Sequence, residues 1–156
     1  MSDTSSTVVS KAMKASCEAV YGAFTDPDAL AVWLPPGSMH GIVHDFDGRE
    51  GGSLRMSLVY PEDEGLPRGK TLDNIDTFDV RFVALVPASK IVWAVRFESD
   101  DPAYAGEMLM TTTMEPAGSG SQITIACDDI PRGIRPEDNE TGCRSTLNKL
   151  ASFLGG

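Results

Sequence analysis

The sequence predicts an α+β fold: a curved antiparallel sheet of about seven strands wrapped around a long C-terminal helix, with two short helices after the first strand. Three observations predict it. From Gly37 to Cys127 the pattern is β throughout, broken only by turn signals. The closing segment carries Cys143, Leu147, Leu150 and Leu154 at offsets of four, three and four, which is one stripe of a helix. Between the opening strand and the β region stand two short helical segments with their own start signals.

Taken in order, Thr7 to Ala15 reads as the opening strand, since Thr7, Val8 and Val9 are β-branched. Ser16 is an N-cap, with Glu18 in the first turn, for a helix through Phe24 that buries Ala19, Val20, Ala23 and Phe24. Asp26 caps a second helix with Pro27 at its first position, and Pro35-Pro36 ends it by Trp33. Strands follow at His40–Phe46, Ser53–Tyr60, Thr77–Val86, Lys90–Phe97, Glu107–Glu115 and Gln122–Cys127. The signals between them are Asp47-Gly48, Gly51-Gly52, the stretch 61–69, Pro87-Ala88-Ser89, Asp100-Asp101-Pro102 and Gly118-Ser119-Gly120. Several are short enough for hairpins, hence antiparallel pairing. The last helix covers 137–154, behind Pro136, with Glu137, Asp138 and Glu140 near the positive end of its dipole. Phe153 widens its apolar stripe, and Gly155-Gly156 ends it. Eighteen residues make a rod of about 27 Å, the only element long enough to cover the sheet.

Composition bounds the function. A length of 156 residues, no internal repeat and no low-complexity linker give one domain over 1–156, with residues 1–6 flexible. Thirteen basic against twenty-three acidic residues leave a net charge of −10, which disfavours nucleic acid and anionic lipid surfaces. No apolar run suits membrane insertion, and the N-terminus lacks a signal-peptide pattern, so a cytoplasmic location is expected. Asn139-Glu140-Thr141 is then a chance match to a glycosylation acceptor. Cys17, Cys127 and Cys143 are odd in number and far apart in sequence, which argues against a disulfide framework and for small buried hydrophobes in a reducing compartment.

No catalytic cluster is legible. His40 and His44 share a strand face with Ile42 and Phe46, but residues four apart on a strand lie ~13 Å apart, too far to hold one ion. No metal and no cofactor are expected; His44 serves at most as one polar contact to a ligand. The stretch 65–71 (Gly-Leu-Pro-Arg-Gly-Lys-Thr) superficially suggests a phosphate loop, but it is one residue short, Pro67 removes a donor and no helix follows. Asp45, Asp76 and Asp79 are candidate acids by location, and nothing singles out any of them. Arg55, Arg81 and Arg96 belong on the convex face paired with acids, with Arg96 the one to check for an inward anchor.

The candidate ligand-binding residues line a cavity between sheet and terminal helix. Met56, Met108 and Met110 supply the adaptable lining of alternating strand stripes. Trp93 belongs to the stripe Ile91, Trp93, Val95, Phe97, and Phe46 shares the face of His44. Trp33, beside the rigid Pro35-Pro36 turn, is placed at the mouth, and Cys143 and Leu147 face inward from the helix.

Beyond these patterns, the order of elements resembles the START-like, birch-pollen-allergen fold of the SRPBCC superfamily, the helix-grip fold. Phe24-Thr25-Asp26-Pro27, Leu30 with Trp33, and Gly51-Gly52 resemble the branch named after the activator of heat-shock-protein ATPase. Trp33-Leu34-Pro35-Pro36-Gly37, Val43-His44-Asp45-Phe46-Asp47, Arg49-Glu50-Gly51-Gly52-Ser53 and Phe97 to Pro102 are similar to a bacterial subgroup of it, as is Pro136 to Gly142 with Leu147 and Lys149-Leu150-Ala151. The resemblance spans nearly the whole chain and implies a hydrophobic pocket between helix and sheet. Similar proteins often carry tryptophan where Cys143 stands, which implies a roomier pocket at that end.

The expected function is binding of a small hydrophobic molecule as a carrier or sensor, by a monomer or homodimer. The alternatives are a polyketide cyclase/dehydratase-like enzyme using the same cavity, which requires an inward polar dyad such as one with His44 or Arg96, and a chaperone ATPase co-factor acting through its surface.

Overall fold

Antiparallel pairing of successive strands from β2 to β7, with β1 crossing over to the far edge beside β7, gives a single sheet ordered β1-β7-β6-β5-β4-β3-β2. The computed structural model describes residues 5–35, 39–59, 75–99 and 101–155. The strands are β1 (Ser5–Met13), β2 (His40–Phe46), β3 (Ser53–Val59), β4 (Ile75–Val86), β5 (Lys90–Phe97), β6 (Met108–Ala117) and β7 (Gly120–Ile130). The helices are α1 (Cys17–Phe24), α2 (Pro27–Trp33) and α3 (Pro136–Phe153). The fold is the expected one. Of the flexible segment expected at 1–6, residues 1–4 lie outside the described residues, while Ser5 and Ser6 belong to β1, where Ser5 pairs with Ile130. The ladder continues because β7 runs on to Ile130, past the expected end at Cys127. The 65–71 stretch, Tyr60, Asp100 and the Pro36-Gly37 step also lie outside the described residues.

Local chemistry explains the helices. Ser16 accepts the Ala19 N–H at 3.1 Å, and Asp26 accepts the Asp28 N–H at 3.0 Å, so both short helices have the caps their sequence calls for. The β6–β7 hairpin turns at Gly118, whose φ of 58° is open to glycine.

One end of the concave face is filled with aromatic rings. Phe24 and Trp33 meet edge-on with centroids 4.6 Å apart, Phe24 meets Trp93 at 5.8 Å, and Phe46 meets Phe82 at 5.8 Å. The chain from β1 to β2, carrying α1 and α2, plugs this end. Helix α3 lies along the rest, burying Thr146, Leu147, Leu150 and Ala151, with Cys143 and Leu154 half-buried. Phe153 does not widen the stripe: it is 44% exposed, because it sits about 100° around the helix from Leu154. Thr146 Oγ1 donates to the Leu34 carbonyl at 3.1 Å, and Lys149 Nζ donates to the Pro35 carbonyl. These bonds anchor the middle of α3 to the end of α2.

On the outer face, Arg55 binds both Asp79 oxygens at 2.8 and 3.1 Å and Glu98 at 2.7 Å, and Arg81 reaches Glu107 at 3.3 Å. Arg96 is exposed on this same face. Partial exposure of these pairs limits each to about 0–1 kcal/mol.

Candidate functional site: a cavity beneath the first half of α3

The aromatic plug occupies one end of the sheet only. Under the first half of α3 the groove forms a cavity of about 470 Å³ that opens to solvent. Its floor is the inner face of β4, β5 and β6: Phe78, Trp93, Val95, Met108 and Met110. Its roof is Asn139, Gly142, Cys143 and Thr146, residues one turn apart along α3. Tyr104 and Ile134 close one side, Leu34 and Met39 another. Tyr104 comes from a 3-10 turn, Pro102–Tyr104, held by the Gly133 N–H donating to the Ala103 carbonyl at 2.8 Å. A Cβ at Gly133 would lie 2.9 Å from the Ala103 Cβ and 3.0 Å from its carbonyl oxygen, so glycine permits this approach. Gly142 is different. A Cβ there meets nothing within 4 Å, so its missing side chain leaves open space beside the cavity.

The wall is mainly apolar, with a few polar groups. Asp76 is 1% exposed and lines the cavity; it shares the parity of Phe78, Val80 and Phe82, all inward. Asn139 donates from Nδ2 toward Met108 Sδ at 3.8 Å and accepts from Thr7 Oγ1 at 2.5 Å. Asp138 stands exposed at the rim. No lysine, arginine or histidine lines the cavity among the described residues. Nor do those residues contain a group of three or more His, Cys, Asp or Glu able to hold a metal.

Four of the nine predicted lining residues, Trp93, Met108, Met110 and Cys143, border this space. Five do not. Trp33 is fully buried in the plug, its Nε1 donating to the Ala23 carbonyl at 2.9 Å, rather than standing at a mouth. Met56 is fully buried, its methyl packed where a Gly41 side chain would be. Leu147 is core, one turn past Cys143. Phe46 packs on Phe82 at the plugged end.

His44 points out of the sheet. A register shift between Val43 and Asp45 makes His44 the extra residue of a bulge, so Val43 and Phe46 both face the core, where unbroken alternation would put them on opposite faces. Its Nε2 lies 2.8 Å from Ser57 Oγ, itself 2.8 Å from Thr77 Oγ1, in a chain across β2, β3 and β4. His40 and Ile42 are likewise exposed.

Sequence reasoning named Asp76 only as a candidate acid, not as lining, and missed Asn139, Tyr104 and Ile134. Asp76 was recoverable from its parity with Phe78, and Asn139 from its place one turn before Cys143. Tyr104 and Ile134 sit on connections whose packing no periodicity reports. Cys127 and Cys143, sixteen positions apart, come together with sulfurs 3.9 Å apart.

An antiparallel sheet wrapped around a C-terminal helix, with a cavity between them, defines the START-like class. Within it, the model of the Activator of Hsp90 ATPase homolog 1-like protein matches residues 14–155, and the chain belongs to that family. Protein CV1439 from Chromobacterium violaceum is 31% identical, with a TM-score of 0.84 and 97% of each chain covered. A Rhodobacter sphaeroides protein (19% identity, TM-score 0.75, covering 98% of this chain and 93% of that one) shares the fold. So does the AHSA1-like protein from Aeromonas hydrophila (16% identity, TM-score 0.73, covering 96% and 91%). No curated protein matches. The superfamily generally binds hydrophobic ligands. Among the described residues no helix is long and apolar enough to cross a membrane.

Proposed function

We propose that the chain binds one small hydrophobic molecule in the cavity beneath α3, as a carrier or sensor. The observation that carries this reading is the cavity itself: about 470 Å³ walled by Phe78, Trp93, Val95, Met108 and Met110. That size lies within the ~300–1,000 Å³ of small-molecule pockets, which are mostly apolar with a few placed polar groups. Methionines let such a wall adapt to shape, and Asn139 offers a polar contact at the roof.

Charge narrows the ligand. Asp76 and Asp138 border the cavity, and no cationic side chain does so among the described residues. A buried anion would forfeit its hydration without a partner, so neutral or cationic amphiphiles are favoured over fatty acids. The enzyme reading loses its proposed dyad, since His44 and Arg96 both lie on the outer face.

A thermal-shift panel of neutral, cationic and anionic amphiphiles of matched chain length tests this. A binder present at about 100 times its Kd stabilises by about 2.7 kcal/mol, a rise of several degrees. Neutral or cationic members should give it. A response confined to the anionic members, or to none, would count against the proposal.

A further inference from the structure

Two cysteines meet at one edge of the cavity. Cys127 lies on the inner face of β7, 1% exposed, and Cys143 hangs from α3, half-buried and bordering the cavity. Their sulfurs are 3.9 Å apart, close to van der Waals contact. Polar groups gather around them. Thr7, opposite Cys127 in the β1–β7 register, donates to Asn139 Oδ1, and Cys143 Sγ lies 3.9 Å from that same oxygen. Both partners of a cross-link are thus in place, and the cavity gives a small oxidant a route to one of them. We infer that Cys127 and Cys143 are an oxidisable dithiol, a modification site at which a small hydroperoxide links β7 to α3 through a disulfide.

The chemistry balances. One thiol of the pair, as its thiolate, attacks the hydroperoxide; the O–O bond breaks, a sulfenic acid forms and an alcohol or water leaves. The second thiolate attacks that sulfur and expels hydroxide, which takes up a proton to leave as water. Two electrons pass from the two sulfurs to one hydroperoxide. The shared hydrogen bond makes Cys127 the first to ionise: the Cys143 S–H lowers the pKa of Cys127, while that bond, followed by burial, raises the pKa of Cys143, so Cys127 attacks a hydroperoxide that enters the cavity beside Cys143. Closing the gap to a bond of about 2.05 Å needs the sulfurs to approach. Gly142, adjacent to Cys143 and with open space beside it, lets that turn of α3 shift.

Intact mass spectrometry of the reduced full chain, before and after a few equivalents of hydrogen peroxide, tests the inference. Each chain should become lighter by two hydrogens. Proteolysis should yield the Cys127 peptide joined to the Cys143 peptide, with Cys17 still open to alkylation, and dithiothreitol should reverse the change. Cys143→Ala should abolish the two-hydrogen loss, and Cys17→Ser should leave it intact. Oxygen addition without a link, a link through Cys17 or between chains, or three free thiols after free cysteine in the same solution has been consumed would each overturn it. So would a two-hydrogen loss that survives Cys143→Ala.

Discussion

Cys143 and Gly142 decide, side by side, how much room lies beneath α3. Cys143→Trp projects a large ring into the cavity, and the space already present should hold the cost below the ~1–3 kcal/mol typical of overpacking a filled core. The expected result is a folded protein that no longer gains thermal stability from an amphiphile that stabilises the parent. Gly142→Ala adds only a methyl group where nothing lies within 4 Å. It should stabilise the helix by about 0.5–1 kcal/mol, raising Tm by roughly 1–4 °C. Calorimetry on both variants separates filling of the cavity from stiffening of its roof. Cys17 allows a pH test: burial raises its pKa above the ordinary 9.0, so the folded state holds the proton more tightly than the unfolded chain. That contribution is complete below pH 9.0 and fades as pH rises through the folded value. Denaturant unfolding should show stability falling above pH 9, with a shallower fall in Cys17→Ala.

At the scale of elements, α3 does two things with one face. Its second half is core, with Leu147 and Leu150 fully buried; its first half is a roof. Leu150→Ala should cost about 2–5 kcal/mol in urea unfolding, whereas a truncation bordering the cavity, such as Met108→Ala, should cost less, because it enlarges an existing space. The same division explains what was legible. Periodicity located every strand and all three helices, because hydrophobic spacing and caps are local properties. It also put Cys143 on the inner stripe. It could not separate Leu147 from Cys143, since filled core and open cavity call for the same apolar residues. His44 was misplaced for another reason: one inserted residue at a bulge reverses strand parity, and Val43-His44-Asp45 carries no sign of it. Trp33 was misplaced because its partners, Ala23 and Phe24, come from α1, and only the docking of α1 against α2 brings them together.

Across the whole molecule, the aromatic plug and the cavity are two solutions to one problem. A bent sheet with a single long helix leaves more concave surface than that helix can cover. The crossover from β1 to β2 fills one end with Phe24 and Trp33, packed against Trp93. The other end is left to Met108, Met110, Asn139 and Cys143 around open space. A container of this kind should retain what it binds. Native mass spectrometry of protein purified without detergent, parent beside Cys143→Trp, measures that directly. The parent should carry a discrete mass excess of one small molecule, and the variant should fly at its bare mass. A parent at its bare mass, or an excess that persists in Cys143→Trp, would contradict binding beneath the first half of α3.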